Sequence, residues 1–220
     1  MSQTDRTVNG IPIEDILKPT ENQPDLVERV ATRNVKAPVL AILPPDPQWF
    51  SHFETFKARI ETALHTSSAA LSPISIIAIN HVGSTSVPGL PAKAVIDIDL
   101  VLSDNTLSAE PYYVPQLEDS GFQFLLREPA WHEHRFFAAH EPMSCNLHVW
   151  GPRCPEVERH EIFREWLKEH EEDRELYASM KTECAAASRE RSETSDQYNV
   201  RKQRVLREIL ERAFRGLGYM

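Results

Sequence analysis

His81-Val-Gly-Ser-Thr-Ser-Val-Pro-Gly-Leu-Pro-Ala-Lys-Ala-Val-Ile-Asp-Ile-Asp-Leu-Val-Leu102 decides how this chain is read. A Gly83-Ser84 turn and Lys93 precede a strand pattern with two aspartates. Strand alternation over Ala94 to Leu102 puts Val95, Asp97, Asp99 and Val101 on one face and Ala94, Ile96, Ile98, Leu100 and Leu102 on the other. One face is apolar, so it seeks a core, and the other holds paired carboxylates.

Residues two apart on a strand are separated by about 6.6 Å and point the same way, so Asp97 and Asp99 can share one hard cation. Aspartate is a poor strand former, and two close carboxylates oppose each other's ionisation unless a cation lies between them. Magnesium, or manganese in its place, suits such a pair because it completes its shell with water and phosphate oxygens. The Gly83-Ser84-Thr85 turn supplies the complementary half, with close backbone approach and hydroxyl and N–H donors for phosphate. Lys93 lies four residues before Asp97 and can offset phosphate charge, or simply pair with an aspartate. The bland alternative is an edge strand with a solvated acidic face, and the Gly-Ser turn upstream argues against it.

A length of 220 residues suits one domain with appendages, and 41% hydrophobic residues can fill its core. The net charge of −9 lacks the basic footprint of a protein that grips polynucleotides, so a small phosphorylated substrate is expected and nucleic acid is not. Cys145, Cys154 and Cys184 have no metal-knuckle spacing and read as reduced thiols. With no signal pattern and no membrane-length apolar run, a cytoplasmic protein without a membrane partner is expected.

Residues 1–38 read as a loosely held extension, with a short helix around Asp25 to Lys36 and Ile11, Ile13, Ile16 and Leu17 able to dock. Val39 to Leu43 is β-prone, and Pro44-Pro-Asp-Pro47 ends it while offering Asp46 as an N-cap. Trp49, Phe53, Phe56, Ile60 and Leu64 then recur at helical spacing. Ile74–Ile79 is a buried strand, and a proline-interrupted helix occupies part of residues 105–120. Phe122–Leu126, Arg135–Ala139 and Asn146–Trp150 are three further strands. After Pro155, charged helix formers with an apolar stripe predict one helix or a broken pair; Ser192–Asp196 resets the pattern before a final helix. The fold class is α/β or α+β, with a core over residues 39–152 and a helical region over 153–220.

His132-Glu133-His134, with His140 and His148 nearby, invites a zinc reading, but zinc-hydrolase spacing is absent. His148 shares a strand face with Asn146 and Trp150 and would approach the aspartates if the two strands were neighbours, as base, phosphate donor or ligand. Arg135 could hold phosphate bidentately.

On the residues quoted, the chain resembles the GrpB family, which has the nucleotidyltransferase fold. The likeness extends to Pro45-Asp-Pro-Gln-Trp49, Arg135-Phe-Phe137, Asn146-Leu-His-Val149, His160, Phe163-Arg164, Tyr177, Lys181, Tyr198 and Lys202, covering about residues 39–212. It implies a mixed-sheet core in which the Gly-Ser turn holds nucleotide phosphates and the Asp-x-Asp pair binds divalent ions. The third carboxylate usual in that superfamily is missing from Asn146–Trp150, and His148 is the nearest replacement. The leading expectation is therefore a magnesium-dependent enzyme that uses a nucleoside triphosphate, ATP first, on a small-molecule acceptor, by nucleotidyl transfer or adenylate-forming ligation. Gly83, Ser84, Thr85, Lys93 and Arg135 would bind the nucleotide, Asp97 and Asp99 the metal, and His148 would serve the acceptor. A non-catalytic nucleotide-binding or regulatory module is the alternative.

Overall fold

The computed structural model describes residues 6–18, 24–35, 41–66, 73–191 and 195–220. In chain order, β1 (Thr7–Val8), β2 (Ile11–Pro12) and α1 (Ile13–Leu17) form a small N-terminal unit, followed by β3 (Glu28–Arg29) and the long helix α2 (Gln48–Thr66). Next come β4 (Ile76–Val82), β5 (Ile96–Leu102), α3 (Val114–Asp119), β6 (Gln123–Glu128), β7 (His134–Ala139) and β8 (Cys145–Trp150). Helices α4 (Pro155–Glu169), α5 (Glu171–Glu190) and α6 (Ser195–Gly216) follow. Six strands make one mixed sheet in the order β3-β6-β7-β8-β5-β4, in which β5 and β8 are parallel and all other neighbours antiparallel.

Alternation settles the two faces. Ile96, Ile98, Leu100 and Leu102 of β5 join Phe124, Phe137, Leu147 and Val149 in one buried cluster, under Trp49, Phe53, Phe56 and Ile60 of α2. Asp46 caps α2 as expected: its carboxylate accepts from Gln48 N at 2.9 Å and its carbonyl from Trp49 N at 3.1 Å. The opposite face carries Asp97 and Asp99 and lies partly beneath α4, where His160 meets Asp99. A second apolar cluster joins Leu167, Tyr177, Met180 and Ile209 of the C-terminal helices to Val87 and Leu90 of the loop before β5. The loop is thereby anchored from below.

The described part of the N-terminal extension is docked, which corrects the expectation of a loose segment. Ile11 and Ile16 pack against Ile162, Ala213 and Phe214. The carbonyls at the end of α1, which lack helical partners, are taken up by the Arg159 guanidinium, which donates to Asp15 O (2.9 Å), Ile16 O (2.8 Å) and Lys18 O (3.1 Å). No helix forms over the described part of Asp25–Lys36. A 3-10 turn at Pro24–Leu26 leads into β3, whose extended backbone adds to the free edge of β6, with Val30 N donating to Leu125 O at 2.9 Å. Edge pairing outweighs helical propensity there. In the expected strand Val39–Leu43, residues 39 and 40 lie outside the described residues, and Leu43 makes an isolated bridge with Ala92. The expected break at Ser192–Asp196 and the Tyr198 side chain also fall, in part or whole, outside them. The three cysteines are free and buried. Among the described residues no helix is long and apolar enough to cross a membrane.

Candidate functional site

β4 runs into Gly83, whose φ of 68° and ψ of −170° belong to a region that is essentially glycine-only. A Cβ at Gly83 would strike the Asp97 carboxylate, so the turn and the first aspartate are in direct contact. The following 3-10 turn, Ser84–Ser86, is tied internally: the buried Thr85 hydroxyl donates to Val95 O at 3.1 Å and meets His81 Nε2 at 3.0 Å. Burial, with Arg164 and Lys168 nearby, drops the His81 pKa to about 4, so His81 is a neutral strut stacked on Phe53. The Ser84 hydroxyl has no protein partner among the described residues, and Gly83 is exposed.

Register brings the polar residues together. Asp97 lies beside Asn146 and Asp99 beside His148 across the parallel β5–β8 pair. Asn146 Nδ2 donates to Asp97 Oδ1 at 2.8 Å, and Asp97 Oδ2 has no hydrogen-bond partner among the described residues. Burial pushes the Asp97 carboxyl up, against the pull of Asn146, Lys202 and His160. Asp99 is fully buried, and both its oxygens are engaged: Oδ1 accepts from Trp150 Nε1 at 2.8 Å, and Oδ2 meets His160 Nδ1 at 2.8 Å. Burial alone would raise Asp99, yet His160 holds it below the usual carboxylate range. Burial also opposes charge on His160, but the attraction of Asp99 prevails and lifts its pKa to about 9. At neutral pH this is an imidazolium–carboxylate pair with its carboxylate buried and its imidazolium partly exposed.

His148 ends a relay. Its Nδ1 is 3.0 Å from His134 Nε2, and His134 Nδ1 is 2.7 Å from Glu128 Oε2. Burial lowers both pKa values, that of His148 to about 3 with help from His134, so both rings are neutral. A carboxylate only accepts, so His134 donates from Nδ1 and accepts at Nε2. His148 must then carry its proton on Nδ1, which leaves a lone pair on Nε2. His148 Nε2 has no protein partner among the described residues.

Cations surround Asp97. Lys93 is half-buried in the adjoining loop; burial lowers its pKa while Asp97 supports its charge. Lys202 of α6 and Arg33, just beyond β3, also act on Lys93. Arg33 reaches Asn146 Oδ1 at 3.3 Å. Lys181 is buried beneath the loop and donates to Pro91 O at 2.6 Å.

Six of the residues singled out by sequence meet here: Gly83, Ser84, Lys93, Asp97, Asp99 and His148. The side chains of Thr85 and Arg135 do not join them. The Thr85 hydroxyl is spent inside the loop. Arg135 lies on the opposite face of the sheet, fully buried, and donates to Glu110 Oε1 (2.9 Å) and Glu133 Oε2 (2.8 Å), so it is a structural cation. Glu128 and Arg33 carry no signal in the sequence, His134 enters there only in the zinc reading, and His160 only as a point of likeness. The spacing of His134 and His148 on adjacent strands was the available signal for the relay.

The donor set fits one hard cation at Asp97, shared with phosphate oxygens, and does not fit a two-ion site. Each Asp99 oxygen already accepts a hydrogen bond, from Trp150 or His160, and no group of three His, Cys, Asp or Glu is placed to hold a metal among the described residues. Zinc fits no better: His132 sits exposed in a turn at φ 53°, while His134 is buried.

Residues 39–212 match the family model described as GrpB protein. The chain is 33% identical over 204 residues to a UPF0157 protein of Halalkalibacterium halodurans, covering 92% of this chain and 97% of that one. It is 34% identical over 176 residues to a UPF0157 protein of Pseudomonas aeruginosa, covering 79% of this chain and 67% of the relative. The fold resembles the crystal structure of conserved protein GrpB from Enterococcus faecalis, with a TM-score of 0.60 and 20% identity over 79% of this chain and 99% of that one.

Proposed function

The chain belongs to the GrpB family, and from that premise we propose that it is a nucleotidyltransferase-related enzyme that binds a nucleoside triphosphate, ATP first, with one magnesium ion and transfers the nucleotidyl group to a small acceptor. The observation that carries this is the seating of the exposed Gly83-Ser84 turn directly on Asp97, whose Oδ2 is uncommitted and which Lys93 flanks. A phosphate on the turn would receive the Ser84 hydroxyl, and the absence of a side chain at Gly83 lets it approach Asp97. Asp97 would hold the metal, which when bound draws charge from the phosphates and aligns them. Lys93 and Lys202 offset the remaining negative charge.

Asp99 has a different role from the one the motif suggests. Its ion pair with His160 fixes α4 against β5 and keeps the cleft wall in place. His148 presents its Nε2 lone pair to the cleft. With a pKa of about 3 it is a weak base, so it accepts a hydrogen bond from an N–H or O–H of the bound ligands and takes no proton in the transfer. In the transfer an acceptor atom bonds to the α-phosphorus, the bond from that phosphorus to the β-phosphate oxygen breaks, and pyrophosphate leaves with the electron pair.

Thermal denaturation with ATP, with and without magnesium, tests this on wild type and Asp97→Asn. Ligand at about 100 times Kd stabilises by about 2.7 kcal/mol, or roughly 5–11 °C for a chain of this size. The shift should require magnesium and vanish in Asp97→Asn. No shift in wild type, or an equal one in the variant, refutes the nucleotide site.

A further inference from the structure

The polar face does not end at His148. Beyond it, Phe136 of β7 lies 5.2 Å from the His148 ring, and Leu126 of β6 is the next residue across the sheet. The segment from Arg29 runs along the β6 edge, Arg33 reaches back over the Phe136 ring, and a cleft of about 600 Å³ is lined by Arg29, Val30, Ala31, Arg33, Leu126 and Phe136. That volume suits a small molecule. The cleft has an apolar floor and two arginines in its wall, Arg29 and Arg33, of which Arg33 reaches Asn146.

Arg33 sets the charge. Its guanidinium lies 5.9 Å from the Phe136 ring centre and 3.3 Å from Asn146 Oδ1, and no carboxylate pairs with it among the described residues. Arg127, Arg135, Arg159 and Arg212 each have a carboxylate partner, and Arg59, which has none among the described residues, is stacked on Phe56 and Phe122 and donates to Glu141 O, whereas Arg33 lines the cleft. A half-buried arginine without an acid is a site for an anion. The same Asn146 amide that accepts from Arg33 donates to Asp97, so an anion on Arg33 would lie one amide away from the carboxylate proposed to hold the metal.

We infer that this cleft receives a small carboxylate, with its apolar body on Phe136 and Leu126 and its carboxylate on Arg33, as the acceptor of the nucleotidyl group. The inference rests on the nucleotide reading of the Gly83–Asp97 site. In the reaction a carboxylate oxygen bonds to the α-phosphorus, the α-phosphorus–oxygen bond to the β-phosphate breaks, and pyrophosphate departs with the electron pair. The product is an acyl–nucleotidyl anhydride, and no proton changes hands. A nucleophile already ionised needs no base, so His148 takes no proton in this step and its Nε2 lone pair is left for an N–H or O–H elsewhere on the bound ligands. Arg33 lies outside the span of residues 39–212 that matches the family model, so acceptor choice is set by a segment particular to this chain and those relatives that share it.

Fluorine NMR titration tests the site with 4-fluorobenzoate and 4,4,4-trifluorobutyrate as flat and aliphatic probes, and with 4-fluorobenzamide and 4-fluorophenyl phosphate as controls. Wild type should bind at least one carboxylate about tenfold more tightly than either control, and Arg33→Gln and Phe136→Ala should each weaken that probe by about tenfold. Arg33→Lys should recover part of the loss, and Phe136→Leu, which keeps the apolar floor, should lose less than Phe136→Ala. Neither carboxylate binding to wild type, equal affinity in Arg33→Gln, or tighter binding of the aryl phosphate overturns the inference. The ATP–magnesium melting shift separates the two proposals. It should persist in Arg33→Gln; if it is lost there, Arg33 belongs to the nucleotide and the carboxylate assignment falls. If ATP with magnesium never shifts wild type while the carboxylate titrations succeed, the nucleotide reading fails and the carboxylate is not an acceptor.

Discussion

Replacing Gly83 with alanine should cost more than any other single methyl addition in the phosphate loop, and the structure sets the size of the effect. The backbone at φ 68° and ψ −170° lies in a region that costs a non-glycine residue about 1–3 kcal/mol. The new Cβ would sit 3.0 Å from both Cβ and Cγ of Asp97 and closer still to its carboxylate oxygen. Overpacking of that kind adds about 1–3 kcal/mol. Because the two strains relax together, we expect a total of about 3 kcal/mol, or a fall in Tm of roughly 6–12 °C. Calorimetry and urea unfolding on Gly83→Ala measure it. The same substitution in an Asp97→Ala background should cost at least about 1 kcal/mol less, since the carboxylate is gone while the backbone strain remains. A loss below about 0.5 kcal/mol in Gly83→Ala would mean that the turn does not press on Asp97. Equal costs in the two backgrounds would leave backbone strain as the whole effect and remove the contact on which the proposed site rests.

His160→Gln leaves Asp99 buried without its cation and should lose stability near the lower end of about 3–5 kcal/mol, because the His160 side chain is 35% exposed. The His160 pKa is raised to about 9 from 6.5, so the pair contributes fully below pH 6.5 and its contribution fades as pH climbs through 9. The Asp99 pKa is lowered, so the contribution is also lost on acidification below 3.8. Urea unfolding at pH 5.5, 7 and 9 should show the gap between wild type and His160→Gln narrowing with pH; a widening gap contradicts the ion pair. In Glu128→Ala the tautomer lock is released, so the two ring-nitrogen shifts of His148, well separated in wild type with the proton on Nδ1, should converge toward a mixture. Unchanged nitrogen-15 spectra would show that His134 does not relay the order.

The core was legible because one physical rule governs it: strand alternation in Ile96–Leu102 and helical recurrence from Trp49 to Ile60 both require a single buried face, and both lie on it. The pairing of Gly83 with Asp97 was legible for a related reason, since the turn and strand are close in sequence and share a sheet edge. The ion pair of Asp99 was not legible because its partner, His160, comes from α4, 61 residues downstream, and nothing in an Asp-x-Asp spacing says that one carboxylate is already paired. Arg135 was misjudged by parity. A strand residue one place out of step with Phe136 points to the opposite face, where Glu110 holds it. The extension was the hardest to read. Its isoleucines are visible, but whether a short apolar segment docks depends on surfaces built by α4 and α6, and β3 exists only because β6 leaves an edge open.

That docking has a consequence for how the chain is made. Arg6 donates to Gly218 O at 2.5 Å, 212 residues away, and Arg159 closes α1 from 141 to 144 residues downstream. The segment Thr7–Leu17 therefore lacks its full docking surface until α4 and α6 have left the ribosome. Ile11, Ile13 and Ile16 must wait exposed through translation, and their docking is a late step with a large loop-closure cost. Slowed release of the C-terminal helices would lengthen that exposure, which makes the nascent chain, more than the finished protein, the state most open to aggregation.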